Sequence, residues 1–205
     1  QGAFEPGGTN WAEGWTLTYG VTGSNSATEE FVISGSITED VTWTSDTIWV
    51  LDGFVFVEDG ATLTIEAGTM IQGKPGQGEN ASALVIQMGG KIEAAGTASS
   101  PIVFTGYGDT YDGVGGFLPT VQGLWGGLIV LGEATTNNST QKRVEGIPES
   151  YNAYYGGDDD ADNSGTLQYV SIRHGGTDIG DGNEINGLTL CGVGTGTTID
   201  HIEVL

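Results

Sequence analysis

The chain has 205 residues, with 27 acidic side chains against 5 lysines and arginines, a formal charge of −22, and 37 glycines. A surface this acidic repels phosphate backbones and anionic lipid heads, which sets the chain against nucleic-acid and membrane-surface binding. Hydrophobic residues make up 37%, enough for one core, so this is neither an acidic disordered tail nor, lacking a three-residue glycine period, a collagen.

Residues 1–35 hold Trp11, Trp15 and Tyr19 but little strand pattern, and are expected to form an N-terminal cap or arm over the first coil of a domain spanning 36–205. From there the chain is a succession of short apolar runs, each closed by glycine, asparagine or aspartate. They are TIWVLDG (47–53), FVFVEDG (54–60), ATLTIEAG (61–68), ALVIQMGG (83–90), KIEAAG (91–96) and PIVFTG (101–106). After these come LWGGLIVLG (124–132), TLQYVSIRHGG (166–176), NGLTLCGVG (186–194) and TTIDHIEVL (197–205). No stretch of a dozen residues carries a helical apolar period, and no run reaches the ~18–20 apolar residues of a membrane span.

An all-β chain of this kind is either an antiparallel sandwich or a parallel solenoid. Asp52-Gly53 and Asp59-Gly60 fit hairpin turns. Internal similarity points to the solenoid: LQYVSI (167–172) matches IDHIEV (199–204), and GATLTIEAGT (60–69) is echoed by GGKIEAAGT (89–97). Repeating strand-turn units that stack on their neighbours predict a right-handed parallel β-helix. Two polar segments interrupt its rhythm, 107–123 and 133–165, and these are expected as long loops. TTIDHIEVL ends within a strand-like run, so further coils or another chain are expected beyond it.

The blocks VTWTSDTIWVLDGFVFVEDGATLTIEAGTMIQGKPGQGENASALVIQMGGKI, LWGGLIVLGEA and the stretch from YGGDDDADNSGTLQYVSIRHGG to TTIDHIEV resemble a family of large secreted β-helix proteins. These occur in Bacteroidetes-type bacteria and often carry a C-terminal type IX secretion sorting domain. The resemblance covers roughly residues 35–205. It implies the β-helix fold, an extracellular or cell-surface location, and further coils and a sorting domain after Leu205. It implies little about chemistry.

The densest polar motif is YGGDDDADNSG (155–165). Asp160, Asp162 and Ser164 stand at alternate positions before Gly165, as in the front half of an oxygen-rich cation loop, with Asp158 close by. The twelfth position is Ser171 where an EF-hand needs glutamate, so a Ca²⁺ site here must take remote oxygens; a solvated turn is the alternative. GTDIGDGNEING (176–187), with Asp178, Asp181, Asn183 and Glu184, is a second acidic loop expected on the same side of the solenoid. GYGDTYDG adds Asp109 and Asp112. Arg173-His174 is the one basic-plus-imidazole pair. It suits a polysaccharide lyase, but the favoured reading is an ion pair of Arg173 with a neighbouring acid and a corner-filling His174. Asp158 and Asp159 are adjacent and make a poor hydrolase pair, since neighbouring side chains on a strand point opposite ways. His201 reads as structural, Cys191 as a small buried hydrophobe, and the five tryptophans as core or cap. Asn80-Ala81-Ser82 and Asn137-Asn138-Ser139 are glycosylation sequons in a host that uses them.

These readings converge on a secreted structural or adhesive protein, non-catalytic and stabilised by calcium, with cell-surface glycans as possible partners. Self-association through the coil ends into a filament is one alternative. A glycan-cleaving enzyme with its cleft on the long loops is the other.

Overall fold

The computed structural model describes residues 8, 10–20, 26–110, 116–138, 140–180 and 183–205. The chain winds as a parallel β-helix with three faces. Coil one comprises β1 (Glu29–Ile37) and β2 (Val41–Trp43), and coil two β3 (Thr47–Val57) and β4 (Thr62–Ile65). Coil three comprises β5 (Met70–Gly73), β6 (Ala83–Ile86) and β7 (Lys91–Ala95). Coil four opens with β8 (Ile102–Gly106) and β9 (Leu128–Leu131), then extrudes a hairpin of β10 (Lys142–Arg143) and β11 (Tyr154–Tyr155). β12 (Gly165–Ile172) completes coil four and starts coil five. A second small hairpin, β13 (Asp178–Gly180) with β14 (Asn183–Glu184), precedes β15 (Leu188–Cys191) and β16 (Thr198–Val204). Every pairing within the 12-stranded sheet is parallel.

The expected internal repeat is a register of that sheet. Leu167 pairs with Ile199 and Ser171 with Glu203, and the 60–69 and 89–97 echoes meet as β4 on β7. Parallel register sets like positions above one another at about 4.8 Å, so the core is three columns of side chains. Face one stacks Trp49, Ile71, Phe104, Ile172 and Val204. Face two stacks Ile37, Val57, Ile86, Val130 and Leu190. Face three stacks Trp43, Ile65, Ala94, Leu167 and Ile199. Each fully buried aliphatic residue in such a column contributes about 1.5–3 kcal/mol. Trp43 and Trp49 stack in the upper core with ring centroids 5.2 Å apart, and Trp125 stacks on Phe104.

The Asp-Gly pairs are not hairpins. Asp52-Gly53 falls inside β3, where the chain turns the corner from face one to face two, and Asp59-Gly60 makes the next corner. Gly53 and Gly60 have φ of +85° and +83°, a backbone that bends a strand sharply without reversing it. In the lower coils the corner from face three to face one is a single residue, Tyr169 and then His201. Both have positive φ, and their rings stack 4.2 Å apart.

Of the expected cap, residues 10–20 do not sit over the first coil. β1 already begins at Glu29 and forms that coil, whereas residues 10–20 lie against the last coils. Trp15 meets Tyr169 edge-on at 5.3 Å, Trp11 meets His201 likewise, and the backbone at Leu17 and Thr18 binds Glu203. The polar outer side of face one at Ser171 and Glu203 attracts this arm, since Glu203 needs donors there. The inward side chains at both ends of the stack are open: Phe31 is 53% exposed on the first coil, and Leu190, Ile199 and Val204 are 39–48% exposed on the last. Among the described residues no helix is long and apolar enough to cross a membrane.

Candidate functional site

Outward-pointing residues of a solenoid normally meet water, yet on face one they are buried, apolar at Met70 and Val103 and polar at Gln72, Thr105, Ser171 and Glu203. Val103, Ser171 and Glu203 form one outer column, with Gln72 and Thr105 beside it. Asp109, from the loop after β8, folds back onto this surface and accepts from Thr105 Oγ1 at 2.7 Å. Gln72 Nε2 donates to the Asp109 carbonyl at 3.0 Å, and the Phe117 N–H donates to Asp109 Oδ1.

Arg173 and His174 follow directly from β12 onto the same surface, and they are 1% and 0% exposed. Arg173 Nε donates to Ser171 Oγ at 2.8 Å, which donates to Glu203 Oε2 at 2.6 Å. Glu203 accepts in turn from the Leu17 N–H at 3.0 Å, and from the N–H and hydroxyl of Thr18 at 3.0 and 2.8 Å. His174 Nδ1 lies 2.7 Å from the Val121 carbonyl oxygen, which makes Nδ1 the protonated nitrogen, and Nε2 faces Asp109 Oδ2 at 4.0 Å. The Phe117 ring packs edge-on against the imidazole. The Trp125 indole N–H donates to the Arg173 carbonyl. The two residues that suit lyase chemistry therefore brace three segments: the sheet, the 116–122 loop and the N-terminal arm. A general base must reach its proton within about 2.6–3.2 Å, and a guanidinium that is 1% exposed reaches no glycan.

The acidic loop is also built into the scaffold, at the corner between faces two and three. Asp162 N–H donates to the Asp159 carbonyl, so the chain turns there, and alternate residues lose the common face that a strand gives them. Asp162 is 8% exposed; its Oδ2 accepts from Ser164 Oγ at 3.0 Å and from the Gly194 N–H of coil five at 3.1 Å. Asp160 is exposed and accepts from the Thr135 N–H at 3.0 Å, hydrogen bonding that holds its carboxyl below the ordinary carboxylate range. Asp158 is exposed. So Asp162 binds Ser164 within its own loop and the Gly194 N–H across the coil interface, while Asp160 is engaged with Thr135 on the outer loop. Among the described residues no three His, Cys, Asp or Glu side chains converge as a metal set.

Asp162→Ala removes a buried acceptor and leaves the Gly194 N–H without its partner. A loss of about 1–3 kcal/mol is expected, against within ~0.5 kcal/mol for Asp158→Ala. Denaturant melts of both variants check this; equal effects would mean that the loop does not brace coil five through Asp162.

The second acidic loop does not join the first. It lies at the corner between faces one and two, because long insertions leave each coil wherever its strand ends. Asp178, Asn183 and Glu184 are described as backbone, in the β13–β14 pair. Asp112, Asp181 and Ser139 lie outside the described residues. His201 is part of the Tyr169–Trp15 stack, and its Nδ1 lies 2.8 Å from Asp200 Oδ1, which lowers the Asp200 pKa. Cys191 is half-buried, and burial pushes its thiol pKa up. What sequence reasoning missed is the role of Glu203 as the arm's anchor. The pattern I-E-V in a terminal strand marks it as an outward residue, and nothing local says that a segment from the other end of the chain covers it.

A family model described as a pectate-lyase-like β-helix domain matches residues 35–205. No curated protein and no solved structure matches the chain. The matched region contains all but the first six residues of the coiled sheet, whose strands all pair in parallel. The chain belongs to the family of pectate-lyase-like β-helix domains.

Proposed function

We propose that this chain is a non-catalytic β-helix scaffold working outside the cell, where its rigid coils present loops to extracellular surfaces. The observation that carries this reading is the burial of Arg173 and His174, the first bound to Ser171 and the second packed under the 116–122 loop. Their polar atoms are directed into the protein, toward Ser171, Val121 and Asp109, and no glycan has a path to them. The charge of −22 suits a soluble surface protein that resists non-specific association. Export is part of the proposal, supported by the resemblance of the sequence to secreted β-helix proteins.

The test is a screen of purified protein against neutral and acidic polysaccharides, reading both new reducing ends and the ultraviolet absorbance of unsaturated lyase products. No cleavage above a heat-denatured control is expected. Cleavage that disappears in Arg173→Met would replace this reading with an enzymatic one.

A second reading has its own observation. Phe31 on the first coil, 53% exposed beside the edge of β1, favours association of copies through that end, because it offers an apolar side chain beside a strand edge. Sedimentation at rising concentration tests it: a constant monomer up to about 100 μM would exclude any association tighter than roughly 5.5 kcal/mol.

A further inference from the structure

The outer side of face two carries a second core and, below it, a slot. In coils two to four the outward residues Phe54, Phe56, Val85 and Leu131 are buried under the β10–β11 loop, whose Val144, Ile147 and Ala153 pack onto them. In coil five the outward positions become Thr189, which pairs with Ile129, and Cys191. The loop does not cover them. What is left is a pocket of about 320 Å³. Ile129 and Thr189 form its floor, Arg143, Glu145 and Tyr155 of the hairpin segment one wall, and Asn186 of the coil-five loop the other.

The hairpin wall is held in place. The Val144 N–H donates to the Ala153 carbonyl at 2.9 Å, and Gln87 Nε2, from coil three, donates to the Asn152 carbonyl at 2.7 Å. Arg143 Nη2 donates to the carbonyls of Pro148 and Tyr151, which orients the guanidinium. Among the described residues, its Nε and Nη1, the Tyr155 hydroxyl, the Asn186 amide, the Thr189 hydroxyl and the Glu145 carboxylate make no hydrogen bond within the chain. Donors and acceptors thus converge on a slot that also exposes part of an aromatic ring and an apolar floor.

That combination matches one class of ligand. Each hydroxyl of a pyranose both donates and accepts, and its C–H face packs on an aromatic ring while its edge is read by fixed polar groups. Arg143 in the wall disfavours cations. Glu145 beside it, together with the net charge of −22, disfavours uronates and other anions. We propose that this slot binds one neutral pyranose unit of a glycan. The inference rests on the non-catalytic reading in one respect, that the sugar is held and not cut.

The test titrates the full chain with neutral cello-, manno-, xylo- and galacto-oligosaccharides, and with oligogalacturonate as the acidic arm, by calorimetry and saturation-transfer NMR. At least one neutral oligosaccharide is expected to bind with Kd on the order of 0.1–1 mM. Thr189→Tyr, which fills the floor, should weaken it at least about tenfold, and Asn186→Ala about three- to tenfold. Circular dichroism confirms that each variant is folded; should Thr189→Tyr fail to fold, Asn186→Ala decides. The proposal is overturned if no neutral oligosaccharide binds, if only the acidic one does, or if a folded variant binds as tightly as the parent. Cleavage products in the same tubes, with binding lost in the variants, would keep the slot and reject the non-catalytic reading.

Discussion

Replacing Phe104 with alanine is expected to destabilise the chain by about 3–5 kcal/mol, with Phe104→Leu costing no more than ~1.5 kcal/mol. Phe104 is fully buried in the middle of the face-one column, paired in register with Ile71 above and Ile172 below. Trp125 stacks on it with ring centroids 6.2 Å apart and planes nearly parallel. The cavity left by alanine cannot close along the helix axis, because ladder hydrogen bonds hold the coils about 4.8 Å apart. Nor can Trp125 swing in freely, since its indole N–H is bound to the Arg173 carbonyl at 2.8 Å. A cost near the upper end of the usual range follows, read as the shift in urea midpoint at unchanged slope. A loss below ~1.5 kcal/mol would show that the column is loosely packed and that the coils are held mainly by their ladders.

Glu203→Ala should cost about as much, about 3–5 kcal/mol, by a different mechanism. The carboxylate is 7% exposed and accepts four hydrogen bonds, from Ser171, Leu17 and twice from Thr18. Alanine strands two backbone N–H groups and a hydroxyl of the arm and leaves the buried Arg173 guanidinium without the carboxylate behind Ser171. Two readouts separate the local from the global effect. The melting temperature should fall, and limited proteolysis should release an N-terminal fragment before the coils are cut. Glu203→Gln, which keeps one acceptor, should fall between alanine and the parent. If the arm stays protected in Glu203→Ala, the aromatic contacts of Trp11 and Trp15 with His201 and Tyr169 hold it unaided.

These two variants probe different depths of what is legible in the sequence. Phe104 lies in PIVFTG, and all ten apolar runs named from the sequence carry strands. The strands that escaped notice are short or interrupted. β2 is three residues, β5 ends in glycine at MIQG, and β1, EEFVISGSI, is mostly exposed with a corner glycine in its middle. None offers enough apolar residues in a row to stand out. Glu203, by contrast, sits in a run whose alternation marks it as outward and therefore wet. It is buried because residues 186 and 185 positions away in the chain return to cover it. The acidic loop fails for the same kind of reason: Asp160 and Asp162 share a face only if the chain is extended there, and it turns.

By itself the sequence determined the winding. Short apolar runs with flexible corners and a repeat of 32 residues leave parallel stacking as the arrangement that buries every inward side chain on a like neighbour. Tertiary structure alone decided which polar residues sink, where the arm docks, and where a slot stays open. Those outcomes depend on which extruded loop covers which outer face. Successive face-one strands pair Ile48 with Met70 but Ile102 with Val170, because loops of any length leave the coil register unchanged. Loop closure costs rise only with the logarithm of length, so the local sequence of a loop carries little information about the surface on which it will come to rest.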